Sequence, residues 1–192
     1  MADLYKNKYR IPPARLQTWD YGSNGVYFIT IVTKEREHFF GKIANGEMHL
    51  SHTGKCAEQY WIDIPNHFAF VELGCFTIMP NHMHGILIIA KEDDLGVETR
   101  HRLVSANSEK NEPPTKTIGQ TRFQNQGKGT ISAIVGSYKS AVSKSAHNSC
   151  PDFAWQTRFH DHIIRNPKSF DTIQNYIINN PGNWESDKFY GP

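Results

Sequence analysis

Two β-rich stretches, FVELGCFTIM (70–79) and HMHGILIIA (82–90), are separated only by Pro80-Asn81. Turn-forming residues between two apolar runs predict an antiparallel hairpin, buried for most of its length. The second strand opens on His82 and His84. Side chains alternate along a strand, so His82, His84, Ile86 and Ile88 share one face. Met83, Gly85, Leu87 and Ile89 take the other. Two neutral imidazoles on one face form a platform for a metal ion. Hydrogen bonds at the end of a sheet would satisfy them equally well, because two ligands alone do not define a metal site.

The flanking pattern adds strands and helices in alternation. GVYFITIVT (25–33) is β-branched and aromatic and predicts a strand, and GEMHL (46–50) a short second one. Residues 54–68 predict a helix over their first half, limited by Pro65. From Thr130, Ile131, Ile134, Val135, Tyr138 and Val142 recur at helical steps. FAWQTRF (153–159) predicts an extended segment. Asn166-Pro167, an N-cap residue followed by proline at the first helical position, opens a last helix that stops at Pro181-Gly182. Helices on an antiparallel sheet, an α+β fold in a single domain over residues 1–192, are the expectation. Residues 91–129 lack periodicity and are rich in Asn, Gly, Pro and charge, so they are expected to form a mobile insertion.

Composition excludes several classes. The 192 residues, 38% hydrophobic and 12% aromatic, suit a soluble globular protein with one core. No apolar run approaches the roughly 20 residues that span a bilayer, and MADLYKNKYR is no signal segment. Three separated cysteines suggest neither a disulfide framework nor a zinc site, so a cytoplasmic protein is expected. Net charge is only +2, yet residues 99–168 hold 11 Lys and Arg against 4 Asp and Glu. That basic segment is compatible with a phosphate-binding face or with an ordinary solvated surface.

The last helix offers partners for the histidines. Phe170, Ile173 and Ile177 make its apolar stripe, Tyr176 sits at the stripe's edge, and Asn180 follows one turn later on the same face. If this helix covers the histidine face, Tyr176 and Asn180 reach His82 and His84 together.

These residues carry a family resemblance. MPNHMHGI (79–86) resembles the His-hydrophobic-His motif of the HUH single-tyrosine transposases. WQTRFHDHIIRNPKSFDTIQNYIINNPGNW (155–184) resembles the C-terminal block of the REP-associated tyrosine transposases, and RLQTWDYGSNGVYFITIVT their N-terminal strand. The resemblance implies a ferredoxin-like sheet, Tyr176 as nucleophile, and His82, His84 and Asn180 as ligands of Mg²⁺ or Mn²⁺. Nitrogen ligands favour manganese of the two. It also implies cleavage and rejoining of hairpin-bearing single-stranded DNA through a 5′-phosphotyrosine bond, by a monomer or homodimer. A domesticated protein that binds repeat hairpins without cutting is the alternative.

Other residues are weaker candidates. Lys139 and Lys144 could meet phosphate, Trp155, Arg158 and Phe159 could stack and bind unpaired bases, and Arg165 could contact DNA. Tyr138 is a rival nucleophile whose neighbours mark it as core. His160 and His162 form a second His-x-His, read as structural or DNA-contacting.

Overall fold

The computed structural model describes residues 19–91, 127 and 129–191. The insertion expected at 91–129 therefore lies almost wholly outside the described residues. In chain order the elements are β1 (Gly25–Val32), β2 (Gly41–Ala44), β3 (Glu47–Leu50), α1 (His52–Ile62) and α2 (Ile64–His67). They continue with β4 (Val71–Ile78), β5 (His82–Ile89), α3 (Ile131–Ala146), β6 (His160–Ile164) and α4 (Pro167–Asn179). A 3-10 segment, Pro181–Ser186, follows α4 directly.

Four strands form one sheet in the order β4-β5-β1-β6, and every neighbouring pair is antiparallel. Helix α1 links β1 to β4 and α3 links β5 to β6, which is the split βαβ arrangement of a ferredoxin-like fold. The predicted hairpin is β4 and β5, closed by a Met79 N–H to His82 carbonyl bond of 2.8 Å. Strands β2 and β3 make a separate two-stranded ribbon.

The sheet is apolar on both faces. Tyr27, Ile29, Ile31, Met83, Leu87 and Ile89 pack with Trp61 of α1 and with Ile134, Val135, Tyr138 and Val142 of α3. Val26, Phe28, Ile86, Ile88 and Ile164 pack with Phe170, Ile173 and Ile177 of α4. Helix α4 thus covers the histidine face, as its apolar stripe required. Gly85 lets α1 approach: a Cβ there would lie 2.4 Å from the Trp61 ring.

Helix starts follow local chemistry. Ser51 caps α1 by accepting from Gly54 N–H, Thr130 caps α3 through Ala133 N–H, and Asn166 caps α4 through Ser169 N–H. One sequence expectation shifts. Residues 153–159 make only an isolated bridge, Thr33 to Trp155, and the paired strand is 160–164. Its first three residues, His-Asp-His, lack the apolar alternation that marks a strand, and only Ile163 and Ile164 are buried.

Candidate active site

The tight turn sets the first histidine. Asn81 donates from Nδ2 to the Phe189 carbonyl at 2.9 Å, which turns its Oδ1 toward His82 Nδ1 at 2.8 Å. A carbonyl oxygen only accepts, so His82 Nδ1 carries the proton and Nε2 presents a lone pair. That Nε2 is buried and has no hydrogen-bond partner among the described residues.

His84 lies next along the same face, its ring centroid 4.6 Å from that of His82. Thr30 Oγ1 on β1 meets its Nδ1 at 2.9 Å, and the Tyr176 hydroxyl meets its Nε2 at 3.1 Å. Both histidines are 0% exposed. Burial pushes His82 down to about 4, with the Asp187 carboxylate opposing and Lys188 and Arg36 assisting. Burial, then the charges of His82, Lys188 and His160, push His84 down to about 2. Both rings are therefore neutral at physiological pH, the form in which imidazole binds metal.

Helix α4 delivers the other two expected residues. Tyr176 is 40% exposed and Asn180 only 2%, so the phenol opens to solvent while the amide sits behind it. Asp187, in the turn after α4, ties them together. Its Oδ2 accepts from the Tyr176 hydroxyl at 3.1 Å and from Asn180 Nδ2 at 2.9 Å, and its Oδ1 accepts from Phe189 N–H at 2.7 Å. Burial would raise the Asp187 carboxyl, but these hydrogen bonds and the charge of His82 outweigh it and hold it below the usual range. Burial, the Asp187 charge and its hydrogen bond push Tyr176 up to about 12.

Asn180 Oδ1 is a second buried acceptor with no partner among the described residues. Two orphaned buried lone pairs, one imidazole nitrogen and one amide oxygen, are costly unless a cation or donor meets them. His82, His84 and Asp187 also offer ligand atoms within 4.8 Å of one another. The donor set of nitrogen and oxygen fits a divalent ion with mixed-ligand tolerance such as Mn²⁺. For His84 Nε2 to join it, the Thr30 bond must run from His84 Nδ1–H to the hydroxyl oxygen, which a rotatable hydroxyl permits.

Sequence reading missed Asp187, Asn81 and Thr30. Asp187 stands beyond the last helix among other polar residues, so no periodicity singles it out. Asn81 was legible only as a turn residue. Thr30 was legible only as a strand residue, until register paired it with His84 on one side and His160 on the other.

The weaker candidates lie elsewhere. Lys139 donates to the carbonyls of Gln156 and Arg158 at 2.9 and 3.2 Å, which fastens that loop to α3. Trp155 packs among Phe40, Tyr138 and Phe153 and donates to the Lys139 carbonyl. Phe159 packs against the same core and Lys144 is exposed in the last turn of α3, on the layer opposite the histidines. Arg158 is exposed with φ of 70°. Arg165 lines a cavity of about 390 Å³ with His162 and Asn166 at the start of α4. Tyr138 is 3% exposed and donates to the Ala57 carbonyl at 3.1 Å, so it is a core tyrosine whose ionisation burial suppresses.

Sheet order and helix placement define a ferredoxin-like α+β fold, on which a histidine pair faces a tyrosine of α4. A REP-associated tyrosine transposase bound to a REP hairpin is similar in structure, with a TM-score of 0.50 and 18% identity. The match covers 91% of this chain and 76% of that one. The likeness carries the fold that the sequence resemblance implied. In sequence, an uncharacterized protein of Haemophilus influenzae is 37% identical over 177 residues, 92% of this chain and 91% of that one. The chain belongs to the family of that protein. No protein-family model matches it.

Proposed function

We propose that the protein is a metal-dependent transposase that cleaves and rejoins hairpin-bearing single-stranded DNA. The observation that carries this reading is the Tyr176 hydroxyl, half open to solvent, held 3.1 Å from His84 Nε2 beside two orphaned buried acceptors. A structural tyrosine would have no need of such neighbours, whereas a nucleophile facing a phosphodiester does.

In this reading His82, His84 and Asn180 hold Mn²⁺ or Mg²⁺, with Asp187 supplying negative charge beside them. When bound, the ion neutralises charge on the phosphate and lowers the cost of ionising a nearby hydroxyl. Tyr176 Oη forms the bond to phosphorus while the bond to the 3′ oxygen breaks, leaving a 5′-phosphotyrosine and a free 3′-hydroxyl. Asp187 Oδ2 already accepts the phenolic hydrogen and is the group placed to take it. Asn81 fixes the His82 ring, and α4 holds Tyr176 and Asn180 one turn apart. Attack by the released 3′-hydroxyl of another strand end reverses the step and rejoins DNA.

Support for DNA as substrate comes from the fold shared with the hairpin-bound transposase and from the basic 99–168 segment. The test is incubation with Mn²⁺ and labelled hairpin oligonucleotides copied from the flanks of the gene. Mn²⁺-dependent cleavage that Tyr176→Phe abolishes supports the reading. Binding without cleavage of any strand would favour the non-cutting hairpin binder.

A further inference from the structure

A groove opens beside the histidines, between the β2–β3 ribbon and the C-terminal turn. It consists of a cavity of about 540 Å³ and a second of about 330 Å³, which share Ile43, Trp184 and Tyr190 as lining. Trp184 is 8% exposed and forms the shared wall. Its ring lies 6.0 Å from the His82 ring on one side, 5.8 Å from His38 and 5.4 Å from Tyr190 on others. Tyr190 stands edge-on to Trp184 and is 52% exposed, so about half of the side chain is open to solvent beside the groove.

We propose that this groove holds an unpaired nucleobase of the single strand whose phosphate enters the histidine site. The proposal rests on the single-stranded DNA reading above. Three features select this occupant. The wall that the two cavities share is apolar and largely aromatic, Trp184 and Tyr190 with Ile43, the kind of surface on which any base stacks whatever its identity. It is one ring away from His82, so a strand engaged at the histidines passes its mouth. Its charges are split: Lys42 lines the smaller cavity, while Glu185 lines the larger one. A sugar-phosphate backbone is favoured along the Lys42 end and repelled at the Glu185 end, which orients the base inward. An apolar peptide would gain nothing from that polarity.

The experiment measures anisotropy affinities for hairpin oligonucleotides from the gene's flanks, each with one abasic site along its unpaired tail. Wild type is compared with Tyr190→Ala, Tyr190→Phe and the distant surface control Ile62→Ala. One abasic position should weaken wild type, Tyr190→Phe and Ile62→Ala by about tenfold or more. Tyr190→Ala, already weakened by a similar factor, should lose nothing further at that position. Equal losses in Tyr190→Ala and wild type at every position, or no binding at all, would overturn the groove. Covalent adduct is read on the same oligonucleotides. Adduct without coupling to Tyr190 sinks the groove alone, and coupling without adduct sinks the cleavage reading alone.

Discussion

His84 Nε2 and the Tyr176 hydroxyl stand 3.1 Å apart although 92 residues separate them in the chain. One comes from the second strand of the central hairpin and the other from the helix that covers it. The contact depends on register: Thr30 must oppose His84, and Ile177 must seat against Ile86 and Ile164. The geometry of this contact is therefore a product of the packing on this face of the sheet.

Asn81 should act on metal binding without being a ligand. It holds the His82 proton on Nδ1 and so keeps the Nε2 lone pair available. Asn81→Ala should weaken Mn²⁺ binding about 10- to 100-fold in titration calorimetry while the protein remains folded. Unchanged affinity would remove His82 Nε2 from the ligand set.

Metal-free stability should fall on acidification. The ordinary histidine value is 6.5, and burial holds His82 at about 4 and His84 at about 2 in the folded chain. Between those values and 6.5 the unfolded chain takes up protons that the folded chain refuses. The stabilisation is full above pH 6.5 and is lost as pH falls, toward 4 for His82 and toward 2 for His84. From pH 7 to pH 5 the loss is on the order of 2 kcal/mol per histidine. Urea midpoints in the presence of a chelator should show it, and His84→Gln should shallow the slope. A midpoint independent of pH over that range would contradict two buried neutral imidazoles.

Gly85→Ala should destabilise the fold rather than the chemistry. The new methyl would meet Trp61 at 2.4 Å, and overpacking of this kind costs about 1–3 kcal/mol. Urea unfolding measures it directly. A change within 0.5 kcal/mol would mean that α1 lifts from the sheet without resistance.

Much of this arrangement was legible in the chain. The apolar runs on either side of Pro80-Asn81 gave the hairpin, alternation placed His82 and His84 on one face, and Asn166-Pro167 marked the start of α4. The helical spacing of Tyr176 and Asn180 paired them with each other. What escaped was long-range register and isolated polar residues. Asp187 is fixed by its bonds to Tyr176, Asn180 and Phe189, none of which leaves a periodic trace. The β6 strand was displaced because His160, Asp161 and His162 carry no apolar alternation, and their strand character comes from pairing with β1. Trp155 and Lys139, separate candidates for DNA contact in the sequence, meet each other in the fold, where Trp155 donates to the Lys139 carbonyl, a pairing that spacing along the chain does not encode.

Tyr176 as nucleophile is the central claim, and mass spectrometry of the reaction mixture tests it most directly. The protein is incubated with Mn²⁺ and the hairpin oligonucleotide, digested with nuclease and protease, and searched for a nucleotide-bearing peptide. The account predicts one modified peptide, from residues 167–179, with the 5′-phosphate on Tyr176, absent in Tyr176→Phe and retained in Tyr138→Phe. A phosphotyrosine on any other residue, or strand cleavage with no covalent peptide, would contradict it.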